Sequence, residues 1–153
     1  LKENVNAVFK SEEALKQGEN SDGQYQALAN NPLPALAAAA CADIGSAKLT
    51  WEATDYADAA KIDWVVEGKT YGCYNTAVPS PGIHLTVWGQ SDIDQDKVFN
   101  CVYLFKATLD SSGNASTAVG GEDADCQSLG GSGNAPAFAP PWGQVQWLNA
   151  NVF

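Results

Sequence analysis

The first eighteen residues, LKENVNAVFKSEEALKQG, place apolar side chains at helical spacing. Leu1, Val5, Val8 and Leu15 form a stripe, widened by Ala7, Phe9 and Ala14, while Lys2, Glu3, Lys10, Glu13 and Lys16 cover the opposite side. This pattern predicts an amphipathic helix over 1–18 that stops at Gly18. No Ser, Asp or Pro caps its start, so we read it as the remainder of a longer helix. Residues 19–47 lose that period. Ser21 or Asp22 can cap one short helical turn, and Pro34 can open another through the alanine run to Cys41. We expect a long irregular connection, packed by Leu28, Leu33 and Leu36.

From residue 48 the period shortens to two. KLTWE reads as a strand and ATDYADAAK as a polar connection. IDWVVEGKTYGCYN reads as a hairpin turning at Gly68, with Ile62, Trp64 and Val66 alternating. After a turn at PSPG, IHLTVWG and KVFNCVYLFKATL flank QSDIDQD and predict a second hairpin. Residues 110–144 are rich in Gly, Ser, Ala and Pro and read as loop. QVQWLNANVF then supplies a last strand, with Val145 and Trp147 on one face. The sum is one α+β domain over 1–153: an N-terminal helix packed on an antiparallel sheet of about four to five strands. The alternation predicts a sheet with one wet face.

Composition narrows the function. The chain has 153 residues, 45% of them hydrophobic, and a net charge of −10, with all eight cations lysine. Arginine forks and positive patches serve phosphate recognition, so the charge balance argues against nucleic acid and anionic membrane surfaces as partners of this domain. Four cysteines fit two disulfides in an oxidising compartment, and the lack of any CxxC pair, with only His84 to help, argues against a zinc cluster. No apolar run of about 18 residues is present. The chain has no methionine, so residue 1 is read as a processing site or a cut.

Candidate chemistry is sparse. His84 stands without a GxSxG elbow, on the strand side expected to be wetter with Thr86. Asp92, Asp94 and Asp96 resemble the opening of a calcium loop. The sixth and twelfth places of that motif hold Lys97 and Tyr103 rather than glycine and glutamate, so the segment reads as a solvated hairpin tip. Glu122, Asp123 and Asp125 sit among glycines and read as a solvated loop. Of five tryptophans, Trp64, Trp88 and Trp147 fall in alternating strands and are assigned to the core. Trp142, between prolines and glycine in AFAPPWGQ, is the candidate for a sugar-stacking platform.

In layout the chain resembles bacterial type IV pilins and the related pseudopilins of type II secretion. LKENVNAVFKSEEALKQG corresponds to the second half of the pilin helix, residues 19–47 to the αβ-loop, and 48–153 to the sheet. KVFNC resembles the strand that carries the first cysteine of a disulfide-bounded D-region. The resemblance implies Cys101 and Cys126 as that pair, which leaves Cys41 with Cys73, each closing a local loop. It further implies a structural subunit of an extracellular surface filament, with roles in adhesion, surface attachment or motility. Such a subunit is held in the inner membrane before assembly and joined to copies of itself through an apolar helix ahead of Leu1. No cofactor and no catalysed reaction are implied. The alternatives are a pseudopilin and a secreted carbohydrate-binding module using Trp142.

Overall fold

The computed structural model of the chain describes residues 1–18, 22–28, 33–35, 46–78, 82–83, 85–95, 100–106, 112 and 146–148. Helix α1 spans Lys2–Gln17, and its stripe is buried as the spacing predicts. Val5 and Val8 are inaccessible, Phe9 nearly so, and Leu1 and Leu15 pack at the margins. Leu1 occupies the N-cap without a side-chain cap, and the Gly18 N–H closes the far end on the Leu15 carbonyl at 2.9 Å.

The helix lies on an antiparallel sheet in the order β1 (Cys73–Ala77), β2 (Leu85–Ser91), β3 (Asn100–Lys106) and β4 (Gln146–Leu148). Three longer strands form its body, and the three-residue β4 extends it beside β3. The hairpin expected around QSDIDQD is therefore β2–β3, and the expected last strand is present at 146–148. Cross-strand partners share a face. The register puts Tyr74, Leu85, Val87, Gly89, Val102 and Leu104 together, and all but Gly89 are in the buried core with Val5 and Val8. At Gly89 the two layers approach closely. A Cβ there would stand 3.0 Å from both Val5 Cγ2 and the Tyr74 ring.

The other face is not wet. Cys73, Thr86, Trp88, Gln90, Cys101 and Tyr103 are all buried, and every residue of β2 is buried. The polar alternation of LTVWGQS misled because Thr, Trp and Gln are amphipathic and bury a large apolar surface; Trp88 does so although its Nε1 finds no hydrogen-bond partner among the described residues.

Residues 48–72 also differ from expectation. KLTWE makes a single bridge, Leu49 with Thr70, and no strand. The stretch read as a polar connection folds as helix α2, Ala53–Ala59, followed by a 3₁₀ turn at Ala60–Ile62. A capping box explains it. Glu52 and Asp55 exchange side-chain to backbone bonds, with Glu52 N–H donating to Asp55 Oδ2 at 2.8 Å. Ile62, Trp64 and Val66 are buried in alternation as expected, yet they lie outside any strand. Gly68 does turn, with φ of 79°, but no ladder flanks it. Side-chain packing holds the segment instead. Trp64 meets Trp51 and Tyr74 edge-on, each at 5.4 Å between ring centroids, and Trp51 Nε1 donates to Thr70 Oγ1 at 3.1 Å.

The connection from helix to sheet is irregular where it is described. Leu28 and Leu33 are buried as predicted, and Leu33 exchanges two backbone bonds with Tyr74, at 2.8 and 2.7 Å. Asp22 and Gly23 form a turn rather than a helical one. Leu36, the alanine run and Cys41 lie outside the described residues.

Candidate functional site

Cys73 and Cys101 stand across β2 from one another. Each is the register partner of Gln90, one from either side, so both point to the face away from α1. Both are disulfide-bonded, and the described residues include no free thiol. Two strand spacings separate their Cα atoms by about 9–10 Å, beyond the roughly 7 Å that a disulfide spans. They are therefore not bonded to each other. Cys41 and Cys126 lie outside the described residues.

The hairpin tip is less solvated than its aspartates suggest. Asp92 is buried, and its Oδ1 accepts the Gln95 N–H at 2.9 Å. Gln95 has φ of 64° and donates through Nε2 to Ser46 Oγ at 2.9 Å. Asp92 thus forms a turn-closing bond. Asp94 is exposed, and Asp96 lies outside the described residues. Among the described residues no group of three His, Cys, Asp or Glu side chains is placed to hold a metal. His84, Glu122, Asp123, Asp125 and Trp142 fall outside them too.

A cavity of about 470 Å³ opens at the N-terminal end of α1. Leu1 and Asn4 form one wall, residues 65–67 and 69–72 another, and Ser91, Ile93 and Asn100 the third. Its lining includes three of the most exposed large apolar residues, Val65, Tyr71 and Ile93. Polar groups lie between them. Asn4 Nδ2 donates to the Tyr74 hydroxyl at 2.8 Å, and Asn100 Oδ1 is buried with no hydrogen-bond partner among the described residues. The Lys48 ammonium sits 5.2 Å from the centre of the Tyr71 ring. Burial pushes the Tyr74 hydroxyl pKa up, against the opposing bond from Asn4. An exposed ring in a cavity that also holds the unpartnered Asn100 Oδ1 suits a small polar ligand with apolar faces.

Glu12 is a buried acid that its residue type does not announce. It lies on the buried stripe of α1 with no accessible surface. Its Oε2 accepts the Gln26 N–H at 3.0 Å, while Oε1 is buried with no hydrogen-bond partner among the described residues. Burial raises this carboxyl from an ordinary 4.5 to about 7, opposed by the Gln26 bond. Beside it, Glu13 accepts from the Tyr25 hydroxyl and pairs with Lys106 at 3.5 Å. Burial first, then the bond to Glu13, pushes the Tyr25 pKa up. The signal was present in the spacing. Positions 5, 8, 12 and 15 make one helical stripe, and Glu12 is its only charged member.

No protein-family model, curated protein or solved structure matches the chain.

Proposed function

We propose that this chain is the globular head of a type IV pilin-like filament subunit. One observation carries the reading: an amphipathic N-terminal helix lies on one face of an antiparallel sheet whose other face bears two half-cystines. In this reading the head serves a fibre on the cell surface, in adhesion, attachment or motility, and catalyses no reaction. A role as a pseudopilin is the nearest variant. Subunits join through an apolar helix ahead of Leu1, which also holds each subunit in the inner membrane before assembly. No described helix is long and apolar enough to cross a membrane, so the reading requires that separate segment. Copies of the head carry −10 each and repel at low salt, which leaves cohesion to the apolar helices. The test is to fuse the head behind an apolar helix of about 25 residues in a piliated host. Recovery of the fusion in fibres supports the reading, and a fusion that stays in the membrane despite correct folding counts against it.

The cavity at the end of α1 favours a second reading, a carbohydrate-binding module. Its aromatic contact at this cavity is then Tyr71, which is exposed and lines the cavity with Asn100, while Trp142 lies outside the described residues. Titration with oligosaccharides, followed by tryptophan fluorescence or calorimetry, separates the two. Saturable micromolar binding abolished by Tyr71→Ala establishes the module, and its absence removes that reading.

A further inference from the structure

Residues 22–28 are the first described part of the connection between helix and sheet. They are held from three sides. Gln26 N–H reaches Glu12 on α1, Leu28 N–H donates to Thr76 Oγ1 on β1 at 2.9 Å, and Tyr25 N–H donates to the Gly82 carbonyl at 2.8 Å. The Glu12 contact differs from the other two in kind, because its acceptor can lose a proton while wholly enclosed. A protonated carboxyl fits such a site at modest cost. An ionised one is a buried charge, and only pairing or exposure to water relieves it.

The described charges around it do not pair it. On α1, Glu13 is engaged by Tyr25 and Lys106, and the Lys16 ammonium lies 4.2 Å from the Tyr25 ring centre. From the turn after α2, Lys61 binds Asp58 at 2.9 Å, and Asp63 is a further acid. β2 turns only Leu85, Val87, Gly89 and Ser91 toward the helix, none of them titratable. β3 supplies Lys106, which is given to Glu13. Against this background the enclosed carboxyl has one backbone donor and no described cation.

We propose that Glu12 is a proton-dependent latch: protonated, it holds residues 22–28 against α1, and ionised, it biases that segment toward release. Opening lets water reach the carboxylate, at the expense of the Gln26 bond and the seats of Tyr25 and Leu28. The released state is therefore favoured on the alkaline side of neutrality. Local opening of this kind leaves the sheet and the rest of α1 in place. The latch stands on the packing of this segment and does not depend on the filament reading.

Amide exchange of the intact protein tests it. After correction for intrinsic exchange, protection at Gln26 and Leu28 should fall roughly tenfold between about pH 6 and about pH 8, and should stay below that of the β2 and β3 amides at both pH values, because the segment opens before the sheet. Glu12→Gln keeps an acceptor for the Gln26 N–H and cannot ionise, so its protection should be the same at both pH values. Carboxyl NMR titration of the unsubstituted protein decides independently, should that variant fail to fold. A Glu12 carboxyl that titrates with the exposed glutamates overturns the latch. So does protection at Gln26 and Leu28 that is equal at the two pH values.

Discussion

A carboxyl on the buried stripe of a helix makes the protein's stability depend on pH in an uncommon direction. Folded Glu12 holds its proton up to about pH 7, whereas in the unfolded chain it lets go near 4.5. Its stabilising contribution is therefore complete below the lower value and is lost as pH rises through the upper one. Across that window the loss amounts to about 3 kcal/mol. Thermal melts of Glu12→Gln should be flat where the unsubstituted protein declines, so that the variant is the more stable of the two at pH 8. A parallel decline in both proteins would place the effect elsewhere. Hydrophobic spacing made Val5, Val8 and Phe9 legible as core from the sequence. It also marked Glu12's place on the stripe, but an assignment by residue type put charged side chains outside. Asp92 and Asp55 were missed for the same reason. Each is buried because its carboxylate accepts backbone N–H groups, a partner that sequence patterning does not display.

Among elements, α1 and the β2–β3 hairpin were legible from long periodic segments, and QVQWLNANVF marked the place of the short strand β4. Helix α2 was not, because its seven residues carry too little apolar pattern and are held by their cap. Asp55 accepts both the Glu52 N–H and the Ala35 N–H, the latter at 2.9 Å, and so ties α2 to the connection. Asp55→Ala should lower stability by about 2 kcal/mol, as loss of a buried helix cap does. Urea melts showing less than a quarter of that would contradict the role assigned to the cap. Ile62, Trp64 and Val66 teach a related point. Alternation reported which side chains face inward, but a strand also needs a neighbouring backbone, and here rings of Trp51 and Tyr74 stand in its place. For α1, Val8→Asp would put an unpartnered charge between helix and sheet, at a cost of several kcal/mol, comparable with the whole stability of a domain. The variant should be unfolded at room temperature by circular dichroism, and a melt within a degree or two of the parent would mean that the helix is not docked as described.

At the scale of the whole molecule, both faces of the central strand β2 are buried, and the two half-cystines sit on the side away from α1. With a Cys73–Cys101 bond excluded by register, two pairings of the four cysteines remain. We expect Cys41–Cys73 and Cys101–Cys126, each closing a local loop, the second of about 25 residues and stabilising by roughly 3–4 kcal/mol through the unfolded chain. Peptide mapping without reduction should recover those two cross-linked pairs, and a Cys41–Cys101 peptide would refute them. The sequence could not show which face the cysteines shared, because that depends on strand register across three segments distant in the chain. The filament reading itself is tested most directly in the cells that make this protein. Surface fibres sheared from them, purified and analysed by mass spectrometry, should contain this chain as a stoichiometric component, with an apolar segment directly preceding Leu1. Fibres that lack it, with the chain recovered only as a freely secreted monomer, would contradict the account.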